Sequence, residues 1–222
     1  MIKAVIFDLD DTLYNERDFV YGGFREVARY LSLKYNLKEE EIFKIMIEIL
    51  NELGRGKIFN TICDKYNLKE DISELVKIYR ETIPKLFLYE DGEYILNKLK
   101  GKYKLGIITD GKASVQWNKI KALNLEKYVD KIIVTDDYGK EFCKPNEFVF
   151  KEMTKHFNLK GEECVYIGDN PNKDFIGARK VGFKTIRVIR DMGDHMKTFL
   201  SKEYEADIEI KNLKDLIYHC EL

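Results

Sequence analysis

The chain has 222 residues, with 38 Lys and Arg against 39 Asp and Glu and a formal net charge of -1. That length holds one sizeable domain with an insertion, or two small ones, and the balanced charge excludes a surface built for nucleic acid or anionic lipid. Four scattered cysteines, Cys63, Cys143, Cys164 and Cys220, form no CxxC pair, which excludes a zinc-ribbon or disulfide framework and leads us to expect a reducing cytoplasm.

The first element in chain order is an apolar run, "KAVIF" at 3–7, and "MIKAVIF" is too short and too soon charged to be expected as a signal peptide. It ends in "DLDD", three carboxylates within four positions. From Tyr14 to Leu88 no strand is expected. "FREVARYLSLKY", "EEEIFKIMIEILNEL" and "DISELVKIYRETI" repeat apolar residues at spacings of three and four, so the interval 14–88 is expected to be a helical insertion. "LFLYEDGEYILNKLK" then leads through a helix to the strand "KLGIIT" at 104–109. Further strands are expected at "KIIV" (131–134), "CVYIG" (164–168) and "KTIRVI" (184–189), with a sixth candidate in "ADIEI" at 206–210. Helical stretches separate the strands from 104 to 189. The expected fold class is therefore α/β: a parallel sheet with helices on both faces, residues 1–13 and 89–222 forming the core around the insertion. No apolar stretch reaches membrane-spanning length.

Residues two apart on an extended chain point the same way, so Asp8 and Asp10 are expected to face one side and Leu9 the other. Reactive residues of an open parallel sheet gather at the C-terminal ends of its strands. Those ends supply Thr109, Asp110 and Gly111, then Lys144, then Asp169 and Asp174. The set suits phosphoryl transfer, which needs a positioned phosphate, dispersed charge and an activated nucleophile. Asp8 can attack phosphorus to form an aspartyl-phosphate, and Asp10 can serve as acid and then as base. Asp8, Asp169 and the Asp10 backbone carbonyl offer the hard oxygens that Mg2+ prefers. Lys144 holds Asp8 ionised, while the Thr109 hydroxyl and the backbone N–H groups around Asp110 and Gly111 can bind phosphate oxygens.

The four segments "DLDDTL" (8–13), "IITDG" (107–111), "KPN" (144–146) and "GDNPNKD" (168–174) stand in the order of the motifs of the haloacid dehalogenase-like hydrolase superfamily, which this sequence resembles. The helical insertion sits where that family places its first type of cap domain. The resemblance implies a Rossmann-like core, a mobile helical cap and Mg2+-dependent phosphatase chemistry. It assigns Asp8 as nucleophile, Asp10 as acid/base, Thr109 and Lys144 as phosphate-binding groups, and Asp169 as a metal ligand. It places Asp174 as an acid that orders metal-bound water.

The expected function is hydrolysis of a small phosphorylated metabolite, a sugar phosphate or nucleotide. A phosphomutase, a 2-haloacid dehalogenase and a phospho-accepting regulatory protein are the alternatives. Halide displacement needs no second acid at position 10, and a signalling module places its acid pair elsewhere. Arg55 and Lys57 in "GRGKIFN" are read as a basic loop between helices in preference to a substrate contact. Gly22 and Gly23 are candidates for a hinge or a helix boundary, and Trp117 for packing. His156, His195 and His219 lack metal-ligand spacing. Neither the substrate nor the oligomeric state is written in the pattern.

Overall fold

A computed structural model describes residues 1–83 and 85–220. Two compact units divide the chain, Met1–Glu16 with Leu86 onward, and Arg17–Lys85.

The first unit is built on a parallel sheet of six strands in the order β3-β2-β1-β4-β5-β6. The strands are β1 (Ala4–Phe7), β2 (Lys104–Thr109), β3 (Lys131–Val134), β4 (Cys164–Gly168), β5 (Lys184–Val188) and β6 (Ile208–Ile210). The sixth candidate strand is thus present at the sheet edge. Every residue of β1 and β4 is buried, as continuous apolar runs of a sheet covered on both faces must be. Val5 lies between Leu105 and Val165 in register. Because the strand order turns around between β1 and β4, their C-terminal ends border the crevice that such sheets leave open. One core cluster joins Ile6, Ile108 and Tyr166 of the sheet with Val149, Phe150 and Met153 of a covering helix.

The second unit is helical. It comprises α1 (Glu16–Tyr35, whose first residue belongs to the sheet unit), α2 (Glu39–Leu53), α3 (Ile58–Tyr66) and α4 (Ile72–Arg80). Its core gathers Phe24, Val27 and Leu31 of α1, Ile42, Met46 and Ile49 of α2, Ile62 of α3 and Leu75 of α4. Gly22 and Gly23 lie inside α1, not at a boundary. A Cβ at Gly23 would stand 2.4 Å from the Tyr79 ring, so the missing side chain is what lets α4 pack there. The basic loop is shorter than expected, since α3 begins at Ile58. Its nine residues bury Ile58, Ile62 and Cys63 on one face, a stripe too short and too β-branched to stand out by periodicity. Arg55 lines a cavity of about 270 Å³ with Val20, Phe24, Phe59, Tyr79 and Arg80.

The remaining helices belong to the sheet unit: α5 (Glu90–Leu99), α6 (Ala113–Ala122), α7 (Glu147–Phe157), α8 (Phe175–Lys180) and α9 (Leu216–His219). Tyr14 bridges both Asp10 and Leu88, which keeps residues 14–16 and 86–88 with the sheet. No described helix is long and apolar enough to cross a membrane.

Candidate active site

Asp8 follows β1 directly and is 2 % exposed. Its backbone N–H donates to the Ile167 carbonyl of β4, which pins the carboxylate at the sheet crevice. Lys144 reaches it from the turn before α7, where the Asn146 side chain accepts the Phe148 N–H and caps the helix. The Lys144 ammonium donates to Asp8 Oδ1 at 2.6 Å, to Asp174 Oδ1 at 2.8 Å and to the Tyr166 hydroxyl at 2.8 Å. Burial disfavours a charged lysine, yet Asp174 and Asp8 outweigh it and hold the Lys144 pKa well above its usual value.

Asp169 leaves β4 immediately after Gly168, and Asp174 stands at the start of α8. One oxygen each of Asp8, Asp169 and Asp174 lie within 4.8 Å of one another. Gly168 makes this crowding possible, because a Cβ there would lie 2.4 Å from Asp174 Oδ2. That oxygen accepts the Asn170 N–H, so both Asp174 oxygens have protein partners. Arg187 of β5 is wholly buried and donates from Nε to the Asp169 carbonyl at 3.1 Å. Its other nitrogens bind Glu205 and the His195 and Thr198 carbonyls.

The three clustered carboxylates are short of positive charge. Burial first, and Asp174 after it, push Asp8 up to about 7 even though Lys144 pulls the other way. Burial, Asp174 and Asp8 push Asp169 well above the carboxylate range. Three buried, hard oxygen donors gathered this closely fit a divalent cation, which would supply the missing charge. No histidine enters this group among the described residues.

Thr109 ends β2 and is 1 % exposed. Gly111 follows at φ 133°, a backbone conformation that L side chains rarely adopt. The Asp110 side chain is occupied: Oδ1 accepts from the Thr135 hydroxyl and the Lys144 N–H, and Oδ2 pairs with Lys173 at 3.5 Å. Burial opposes its ionisation, but Lys144 and Lys173 hold its pKa below the usual value. The Asp110 side chain therefore buttresses Lys144 and Lys173.

The Asp10 carboxylate has a different ammonium partner from the Lys144 that serves Asp8. Its Oδ1 accepts from the Lys119 ammonium at 2.7 Å and from the Tyr14 hydroxyl, while Oδ2 accepts from Gln116 Nε2 at 2.9 Å. Burial would raise its pKa, but Lys119, Tyr14 and Gln116 together hold it low. The next residue, Asp11, adopts φ 53° and accepts the Glu16 and Asp194 N–H groups, which fixes the turn that carries Asp10. Lys119, Gln116, Lys173 and Arg187 were not among the residues the sequence singled out. The available signal was a lysine and a glutamine on the buried face of α6, and an arginine in a buried strand.

Trp117 donates its indole N–H to Asp137. Beyond the geometry, the chain is 32 % identical, over 98 % of its length and 96 % of the other, to a protein of Methanocaldococcus jannaschii named glyceraldehyde 3-phosphate phosphatase. A protein of the same name from Methanopyrus kandleri is 30 % identical over 98 % and 96 %. Among solved structures, a HAD phosphatase from Thermococcus onnurineus superposes with a TM-score of 0.65 at 28 % identity, covering 99 % of this chain and 98 % of that one. The HAD-hydrolase YfnB from Bacillus subtilis, solved bound to magnesium, reaches a TM-score of 0.71 at 20 % identity over 100 % and 99 %, a likeness of fold. With residues 5–188 matching the family profile, and the four strand-end segments lying within that span, the chain belongs to the haloacid dehalogenase-like hydrolases.

Proposed function

We propose that this protein is a Mg2+-dependent phosphomonoester hydrolase acting on a small phosphorylated metabolite of the sugar-phosphate class, through an aspartyl-phosphate on Asp8. The observation that carries the reading is the buried group of Asp8, Asp169 and Asp174 against Lys144. The relatives named glyceraldehyde 3-phosphate phosphatase, matched almost end to end, support the substrate class.

Asp8 Oδ2 attacks phosphorus as the bond to the leaving oxygen breaks. Asp10, held ionised in the free site, must first take up a proton as substrate binds; it then gives that proton to the leaving oxygen, so the alcohol departs neutral. Asp10, now a carboxylate, takes a proton from water as its oxygen attacks the phosphorus; the bond to Asp8 breaks and inorganic phosphate leaves. Lys144 favours the anionic form of Asp8 for the first attack, and the Thr109 hydroxyl with the N–H groups around Gly111 holds the phosphoryl oxygens. Asp8, Asp169 and the Asp10 carbonyl would hold Mg2+, with Asp174 behind them. When bound, Mg2+ offsets the charge of the carboxylates and of the transferring phosphoryl group. The helical unit Arg17–Lys85 is the cap that reads the leaving alcohol in this proposal. A regulatory phospho-acceptor would have no use for a second acid with its own set of donors at position 10.

The test is phosphate release from glyceraldehyde 3-phosphate and a panel of sugar phosphates and nucleotides, with mass spectrometry of acid-quenched protein. Turnover together with transient phosphate on Asp8, absent in Asp8→Asn, is expected. Turnover retained in Asp8→Asn would overturn the reading.

A further inference from the structure

The second buried lysine of the sheet unit has no place in the mechanism above. Lys119 is 2 % exposed and sits on α6, more than a hundred positions from the Asp10 it touches. It is shared with Glu16, the first residue of α1, at 3.4 Å. Burial disfavours its charge, and Asp10 and Glu16 more than offset that. A buried ion pair is weak evidence for stability, since apolar residues of similar volume serve a core as well. Its placement against a group of the site calls for another explanation.

Gln116, one turn earlier on the same face of α6, is 1 % exposed. Its side-chain amide has two N–H groups. Nε2 donates to Asp10 Oδ2 at 2.9 Å and also to the Thr109 hydroxyl oxygen. A hydroxyl that accepts a hydrogen bond keeps its own proton to donate, so Gln116 turns the Thr109 O–H toward another acceptor. One helix face thereby fixes two groups that come from β1 and β2.

We propose that Lys119 and Gln116 are positioning residues: they hold the Asp10 carboxylate in place and, through Gln116, lock the Thr109 hydroxyl to it, so that the proton-transfer group and the phosphate-binding group form one rigid frame. This rests on the role given to Asp10 above. With Lys119, Tyr14 and Gln116 all donating, both Asp10 oxygens are engaged, and the carboxylate must exchange one of these contacts to meet substrate or water. Lys119 and Gln116 touch neither, acting only through Asp10 and Thr109.

The experiment is a double-mutant cycle on the full-length protein with Mg2+, using Lys119→Met, Asp10→Asn and both together, and p-nitrophenyl phosphate as substrate. Lys119→Met is expected to lower kcat by about tenfold to a hundredfold, as loosening a reacting group does, with KM changed less than about twofold. Lys119→Arg, which keeps the charge, is expected to restore part of the loss. The double variant is expected to be no slower than Asp10→Asn alone. Lys119→Met within about twofold of wild type in kcat, or losses that multiply in the double variant, would overturn the proposal. Should Lys119→Met not fold, the same cycle with Gln116→Met decides by the same criteria. If Asp10→Asn is itself as active as wild type, it is the role of Asp10 that fails; if Asp10→Asn is impaired and Lys119→Met is not, only the positioning role fails.

Discussion

Lys144 and Asp8 lie 136 positions apart in the chain, yet the ammonium stands 2.6 Å from the carboxylate with neither side chain more than 3 % exposed. The same ammonium serves Asp174 at 2.8 Å. One buried cation thus answers two buried anions, and Asp169 crowds them from the end of β4. The asymmetry decides how the site responds to change. Removing the cation leaves carboxylates stranded, whereas adding one relieves them.

Lys144→Met is accordingly expected to destabilise the metal-free protein by about 3–5 kcal/mol, the usual loss when one partner of a buried pair is removed. Activity should fall at least a hundredfold or so, because Asp8 is then protonated when it should attack. Denaturant unfolding in EDTA and steady-state kinetics in Mg2+ check the two halves separately. Unchanged stability would mean that the pair is dispensable to the fold.

Mg2+ should act in the opposite sense. If Asp8, Asp169 and the Asp10 carbonyl hold it only in the folded state, Mg2+ at about 100 times its dissociation constant adds about 2.7 kcal/mol to unfolding. Asp169→Asn should lose most of that gain. Ca2+ should stabilise the fold but support little turnover, since it tolerates higher coordination and can engage both oxygens of Asp8. Thermal midpoints in EDTA, Mg2+ and Ca2+ provide the readout, and equal midpoints in all three would sink the assignment.

Arg187 links the same group to the C-terminal part of the chain. Fully buried, it holds the Asp169 carbonyl, Glu205 and the carbonyls of His195 and Thr198. Arg187→Met keeps much of the volume and removes every donor, leaving Glu205 and three carbonyls short of partners. A loss of about 3–5 kcal/mol is expected, together with weaker Mg2+ binding because Asp169 is no longer held. Limited proteolysis should then cut within residues 195–205, and resistance there equal to wild type would argue against the linkage.

The strands were legible because a parallel sheet covered on both faces demands apolar, β-branched runs, and "AVIF", "KLGIIT" and "CVYIG" are such runs. The strand-end residues were legible because sheet topology gathers strand ends whatever the loops between them do. Lys119 and Gln116 escaped because a charged residue on a short amphipathic helix normally faces water, and nothing local says that this one faces Asp10. Arg187 hid in the same way inside "KTIRVI", where the run reads as a strand whatever its arginine faces. Alternation along an extended chain sets Asp8 and Asp10 on one side but does not name their partners; β1 stops at Phe7, Asp11 turns the backbone at φ 53°, and each carboxylate meets its own lysine.

That separation sharpens what Asp10→Asn should do, because the mechanism asks Asp10 for two different proton transfers. p-Nitrophenyl phosphate expels an anion that is already stable, so phosphorylation of Asp8 should depend little on an acid at position 10. A sugar phosphate expels a basic alkoxide and needs that acid. Hydrolysis of the aspartyl-phosphate needs the base whichever alcohol has left. Asp10→Asn should therefore turn over slowly with both substrates, by about a hundredfold or more relative to wild type. Only the aryl phosphate should give a rapid burst of product, near one equivalent per enzyme, with phosphate trapped on Asp8. Rapid mixing and mass spectrometry of the quenched protein measure both. With Lys119 and Tyr14 still able to donate to the remaining Asn oxygen, the variant should keep its fold, so a missing burst could not be blamed on unfolding. No burst and no trapped phosphate, with sugar-phosphate turnover near wild type, would leave Asp10 as a member of the frame around Lys119 and remove it from the chemistry.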